Sequence, residues 1–300
     1  MSVLNTTNDG LPNILLVLHH AVLATSKSVT RISLLETVAP EAALQELESG
    51  KMARQTLNRW IALGLFEEKE GEVTAAVRPP KKLSRAALTA FTRREVCRLS
   101  MSEENTPDLW AIEGVNSADL TRSLAWTLAQ NVFETRLSEL EALEAQQILN
   151  EDLRILRNDT RENGLRHWAD FLGFSRGYGG DIDPTVAVRD VLPEILAPGE
   201  DMQAVEFINR LAAALPVIDG GRWQKAVLQE VSTAALSPLA PSQLSSALSR
   251  ALLALRASDE LLLQNRADVG KSITLTGFCG ARADLTFQWI TRPKRRSQHE

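Results

Sequence analysis

The sequence predicts a mainly α-helical protein with two small β-hairpins, one near each end of the chain. Apolar residues recur at helical spacing through most of its 300 residues. Residues 118–162 contain neither proline nor glycine, a composition that favours continuous helix. Two stretches break the pattern with alternation and turn residues, around Gly71 and around Ala267 to Gly270. The length and a hydrophobic content of 44% are enough to bury a sizeable core and favour two or three units over one. The expected division is 1–99, 100–200 and 201–300.

At the N-terminus, Ile14, Leu15, Leu18, Val22 and Leu23 mark a buried first helix over Leu11 to Thr25, with Pro12 in the first turn where it is tolerated. A second helix over Ser28 to Val38 carries Ile32, Leu34, Leu35 and Val38 and closes at Pro40. After an acidic linker, Lys51 to Leu63 repeats the pattern through Met52, Leu57, Trp60 and Ile61. Its opposite face is expected to hold Arg54, Gln55, Asn58 and Arg59. Gly64 ends it, and Leu65 to Thr74 reads as two short strands with Gly71 supplying positive φ at the turn. Three helices and a hairpin, in that order, form a winged helix-turn-helix. The junction from Leu57 to Phe66 resembles that of many winged-helix proteins, in which a recognition helix passes through a small residue into the wing.

Arg78, Lys81, Lys82, Arg85, Arg93, Arg94 and Arg98 then face only one carboxylate, Glu95, within 21 residues. Such a segment is suited to following a phosphate backbone. The middle region is expected to hold at least two long helices with a break near Asn150, then a Gly- and Asp-rich loop over Ser175 to Pro184 and a helix over Val186 to Leu196. The last third repeats the plan of the first. Helices are expected over Met202 to Leu215, over Trp223 to Val231 and from Pro241-Ser242 onward. Leu261 to Gln264 and Ser272 to Leu275 then flank a turn as a second wing. The fold class is therefore two winged units around a helical middle region.

Composition excludes several functions. With 33 Lys and Arg against 38 Asp and Glu, the chain has a net charge of −5, so any nucleic-acid contact must be local. Cys97 and Cys279 are too few for a disulfide framework or zinc site, which fits a reducing cytoplasm. The polar stretch Met1 to Gly10 and an apolar run no longer than Ile14 to Leu18 predict neither secretion nor membrane insertion.

No catalytic, metal or cofactor site emerges. Gly270-Lys271-Ser272 has the end of a phosphate-binding loop, but Asn265 stands where the upstream glycine belongs. His19 and His20 point about 100° apart on a helix and cannot share a metal, with one expected in the core and one at the surface. His167 beside Trp168 and Asp170 reads as a packed or capping residue. Asp181, Asp183 and Asp190 lack the companion elements of a nuclease, and Asp183-Pro184 reads as a helix start.

The candidate nucleic-acid-binding residues are Arg54, Gln55, Asn58 and Arg59 on the recognition helix and Arg78, Lys81, Lys82 and Arg85 after it. Arg250, Arg266 and Lys271 belong to the C-terminal unit. Glu67, Glu68, Glu70 and Glu72 oppose this reading, since the first wing would bring four carboxylates toward phosphate. Docking onto other proteins is the alternative, and the basic tail Arg292-Pro293-Lys294-Arg295-Arg296 does not separate the two.

His167-Trp168-Ala169-Asp170-Phe171-Leu172-Gly173-Phe174 is followed by the run from Asp183-Pro184 to Leu192-Pro193, and both lie between two winged units. In this the chain resembles the winged-helix accessory proteins of bacterial anti-phage and DNA-modification islands, those of the 7-deazaguanine DNA modification and restriction cluster among them. The resemblance implies a non-enzymatic component that works beside separate enzymes, with duplex DNA and other subunits as partners, and it carries over no catalytic residue. A winged-helix transcriptional regulator acting as a homodimer and a scaffold without DNA affinity remain as other readings.

Overall fold

The computed structural model describes residues 3–4, 12–38, 49–80, 83–111, 116–177, 180–266, 271–277 and 282–294. The expected linker after Pro40 falls largely outside them. The described N-terminal elements are α1 (Pro12–Ala24), β1 (Val29–Thr30), α2 (Arg31–Val38), α3 (Ser49–Ala62), β2 (Phe66–Lys69) and β3 (Glu72–Ala75). The three strands form an antiparallel sheet in the order β1-β3-β2. The hairpin turns at Glu70 and Gly71, both at positive φ (53° and 79°), the pairing that two-residue turns demand. Leu15, Leu18, Leu34, Leu57, Trp60, Phe66 and Val73 are buried together. The strand β1 was not foreseen, because two residues are too few to show a period.

The middle region holds α4 (Arg85–Ser100), α5 (Ala118–Leu128), α6 (Leu140–Gln147), a 3₁₀ turn at Glu151–Leu153 and α7 (Asp159–Leu172). The two long helices expected over 118–162 are thus shorter and more broken than composition predicts. Asparagines supply the breaks. Asn131 Oδ1 accepts from Phe133 N at 3.3 Å, Asn150 Oδ1 from Asp152 N at 3.1 Å, and Asn158 Oδ1 from Arg161 N at 3.0 Å. Each side chain offers the backbone a local alternative to the helical ladder. Gly173, at φ 81°, ends α7 in the left-handed conformation. The expected loop contains a small hairpin, β4 (Ser175–Arg176) with β5 (Asp181–Ile182), before α8 (Thr185–Ile195).

The C-terminal elements are β6 (Asp201–Gln203), α9 (Ala204–Ala214), α10 (Arg222–Glu230), α11 (Ser246–Ala257), β7 (Leu262–Gln264), β8 (Ile273–Thr276), β9 (Arg282–Phe287) and β10 (Trp289–Thr291). Here the second wing is corrected. Its two strands do not pair with each other: β7 pairs with β10 in a sheet ordered β6-β10-β7, and β8 pairs with β9. The cause is burial. All four residues of β8 are inside, and Thr276 is held by Ser249 Oγ (2.8 Å from its N) and Leu244 O (2.6 Å from its Oγ1). The helix expected from Pro241-Ser242 starts later, because Ser242 adopts φ 64° and Ser245 Oγ is the cap, accepting from Leu248 N at 3.2 Å.

Buried apolar residues form a connected cluster from Val3 to Ile290. Trp60 of α3 meets Trp168 of α7 at a centroid distance of 5.6 Å, and Trp223 Nε1 of α10 donates to Met101 O at 2.7 Å. The phrase His167 to Phe174 thus closes the core against α3. No described helix is long and apolar enough to cross a membrane.

Candidate nucleic-acid interface

The outward side of α3 is built by the helical period. Ala53, Thr56, Leu57 and Trp60 turn inward, Lys51 and Asn58 are exposed, and Arg54 and Gln55 are half-buried. Arg59 departs from the expected polar face: it is only 7% exposed, with Nη1 3.5 Å from Val3 O. An isolated helical wheel cannot show this, because the cover comes from elsewhere. The Asp119 carboxylate accepts from Val3 N at 3.0 Å and Leu4 N at 2.6 Å and fixes that segment in the core. Arg31, which sequence reasoning missed, joins the face. Its guanidinium donates to Glu68 at 2.6 Å and to Asn58 Oδ1, tying α2, α3 and β2 together. No local spacing announced it, since its partners lie 27 and 37 residues away. The hairpin beside this face carries Glu67 and Glu70 exposed and Glu72 half-buried.

The basic segment after the hairpin is largely engaged within the fold. Arg78 donates to the carbonyls of Thr25 (2.7 Å), Lys27 (2.6 Å) and Val22 (3.3 Å), at and just beyond the end of α1. Arg93 grips Asp190 with two bonds of 2.7 and 3.2 Å, Arg94 pairs with Glu194 at 3.2 Å, and Arg98 with Glu95 at 2.9 Å. The expected continuous track of cations is therefore split among interior and surface pairs. Arg85 is exposed, and Lys81 and Lys82 lie outside the described residues.

In the C-terminal unit, Arg250 is half-buried, donates to Ile182 O at 2.8 Å and lies 5.3 Å from the Phe133 ring centre. Arg266 is exposed, stacks 4.3 Å over Trp289 and pairs with Asp201. Lys271 is exposed, while Gly270 lies outside the described residues. Ser246 and Ser249 of α11 are buried.

His19 is fully buried, between the edge of Phe66 and the face of Phe91. Burial first, then the neighbouring His20 and Arg78, push its pKa down to about 3. Its Nδ1 shares a 2.9 Å bond with Thr92 Oγ1. His20 is half-buried and also lowered, by burial first and then Arg85. His167 is exposed on α7 rather than packed, because the neighbouring Trp168 takes the inward position. Asp183 is buried, accepts from Thr185 N at 2.9 Å and pairs with Arg176 at 2.6 Å, so it starts α8 as expected. Cys97 is buried in α4 and its thiol is pushed up to about 12, chiefly by burial, which makes it a poor nucleophile. Among the described residues no cluster of three or more His, Cys, Asp or Glu is placed to hold a metal.

A protein-family model described as DpdG-like matches residues 1–269, from the N-terminal helices through the first strand after α11. The chain belongs to the DpdG-like family. That membership agrees with the resemblance carried by the His167 to Phe174 and Asp183 to Pro193 phrases, and it is consistent with a role in the 7-deazaguanine modification system. No curated protein and no solved structure matches the chain.

Proposed function

We propose that this DpdG-like chain is a non-catalytic, nucleic-acid-binding and assembly component of the 7-deazaguanine DNA modification and restriction system. In this reading the described elements from α1 to β3 belong to a winged helix-turn-helix whose α3 meets duplex DNA. One observation carries it. Among the described residues, the element order α1-β1-α2-α3-β2-β3 with strand order β1-β3-β2 supports a winged-helix reading, and Lys51, Arg54 and Asn58 reach the surface from α3. Arg and Lys at such a position neutralise phosphate; the Asn58 amide oxygen accepts from Arg31 and that of Gln55 is buried, so the contact read here is to the phosphate backbone.

The test is a mobility-shift titration with duplex DNA at several salt concentrations. Arg54→Ala is expected to weaken duplex binding by about fivefold or more and to flatten the salt dependence by roughly one counterion. Duplex affinity unaffected by Arg54→Ala and Lys51→Ala would remove α3 from the interface. The acidic hairpin favours a second reading, in which Glu67, Glu70 and Glu72 dock onto a basic surface of another subunit. Absence of duplex affinity at low salt, with retained subunit association lost on Glu67→Lys, would favour it.

A further inference from the structure

The sheet β6-β10-β7 buries one face and opens the other. Its register places Met202, Ile290 and Leu263 in one row, with Ile290 fully buried. The alternate rows point the other way. Gln203, Trp289 and Gln264 lie side by side across the three strands, Gln203 exposed and the other two half-buried. The Arg266 guanidinium carbon lies over the Trp289 ring, 4.3 Å from its centre, and the side chain pairs with Asp201.

We propose that this face binds single-stranded DNA, with the Arg266 guanidinium held over the Trp289 ring as the platform on which unpaired bases stack. Every base has a π-face, so a guanidinium backed by an aromatic ring accepts any of them. The exposed Gln203 flanks that platform on one side, and on the other Gln264 Oε1 accepts from Thr291 Oγ1 at 3.1 Å and from Arg266 at 3.4 Å. Charge complements the backbone. Lys271 adjoins Ser272, whose hydroxyl accepts from Gln288 at the head of β10 (3.5 Å), and Lys294 follows its other end. Neither lysine has an ion pair among the described residues, so the strand that carries Trp289 has an unpaired cation beyond each end, in a chain of net charge −5. The carboxylates nearby are engaged, Asp201 by Arg266 and Glu200 by Ala197 N at 3.2 Å. A duplex would not use this plane, because its bases are already stacked. The choice of DNA over RNA rests on the proposed function, whereas the stacking plane does not.

The experiment is fluorescence anisotropy of labelled dT12, rU12 and a 12-base-pair duplex against the full chain and its variants at low salt. Binding of dT12 that falls about tenfold in Trp289→Leu, largely recovers in Trp289→Phe and is unchanged in Arg54→Ala would support the proposal. Arg266→Ala is expected to weaken dT12 by about fivefold or more. A far-ultraviolet melt shared with the parent chain shows that Trp289→Leu is folded. Lack of dT12 binding by the parent chain, or binding indifferent to both Trp289 substitutions, would overturn it, as would rU12 bound more tightly than dT12. Duplex binding lost only in Arg54→Ala, with no dT12 binding, would overturn this inference and leave the reading of α3 intact.

Discussion

His19 offers a quantitative test of how α1, α4 and the hairpin pack. The ring is fully buried, its Nδ1 is bonded to Thr92 and its Nε2 has no hydrogen-bond partner. Burial, with help from His20 and Arg78, lowers its pKa from 6.5 to about 3. The folded state therefore binds a proton less readily than the unfolded chain, and stability rises with pH between those two values. The contribution is fully present above pH 6.5 and is lost as pH falls toward 3. Linkage over the whole interval amounts to about 5 kcal/mol, of which about 2 kcal/mol is lost between pH 7 and pH 5. His19→Leu removes both the titration and the orphaned nitrogen, while Thr92 Oγ1 keeps its bond to Leu88 O at 3.1 Å. Urea denaturation of the parent chain and of His19→Leu at pH 7 and pH 5 measures the difference. The parent is expected to lose about 2 kcal/mol more than the variant on acidification. Equal losses in the two proteins would refute the burial of a neutral imidazole at this place, since His20 and the carboxylates are common to both.

Gly173→Ala is expected to destabilise the fold by about 2 kcal/mol or more. Its backbone sits at φ 81° and an added Cβ would lie 2.8 Å from Ala187 N and from Val186 Cβ; a urea midpoint near that of the parent would contradict the close approach of α7 to α8. Arg93→Ala leaves Asp190, whose side chain is 10% exposed, without its guanidinium and is expected to cost about 3 kcal/mol. The same variant is expected to keep duplex affinity, and a selective loss of DNA binding at unchanged stability would restore Arg93 to a phosphate track.

The N-terminal helices were legible because each buries one stripe. The spacing of Leu15, Leu18 and Val22, and of Leu57 and Trp60, is set by the helix itself and survives in the structure with bounds shifted by a residue or two. The first hairpin was legible for a similar reason: Gly71 provides the turn and Phe66, Val73 and Ala75 provide the inward face. The middle region was misread because its breakers are asparagines, whose effect depends on whether the side chain turns back onto the backbone. The second wing was misread because Leu262 to Gln264 and Ile273 to Thr276 look like adjacent strands of a hairpin, whereas their partners β10 and β9 lie further along the chain.

The candidate site divides along the same line. Arg54, Gln55 and Asn58 share a helix, so their common side follows from 3.6-residue periodicity. Arg59 is withdrawn by a segment that Asp119 holds from 115 residues away, and Arg31, Arg78 and Arg93 are engaged by partners distant in sequence.

By itself the sequence determined the helical class, the described N-terminal helices and hairpin, the net negative charge and the family phrases, because local period, turn chemistry and composition are properties of neighbouring residues. Only the tertiary structure decided which cations reach solvent, how the C-terminal strands pair and that Trp289 and Arg266 share an open sheet face. Burial and ion pairing are settled by what the rest of the chain brings alongside, and no local window contains that information.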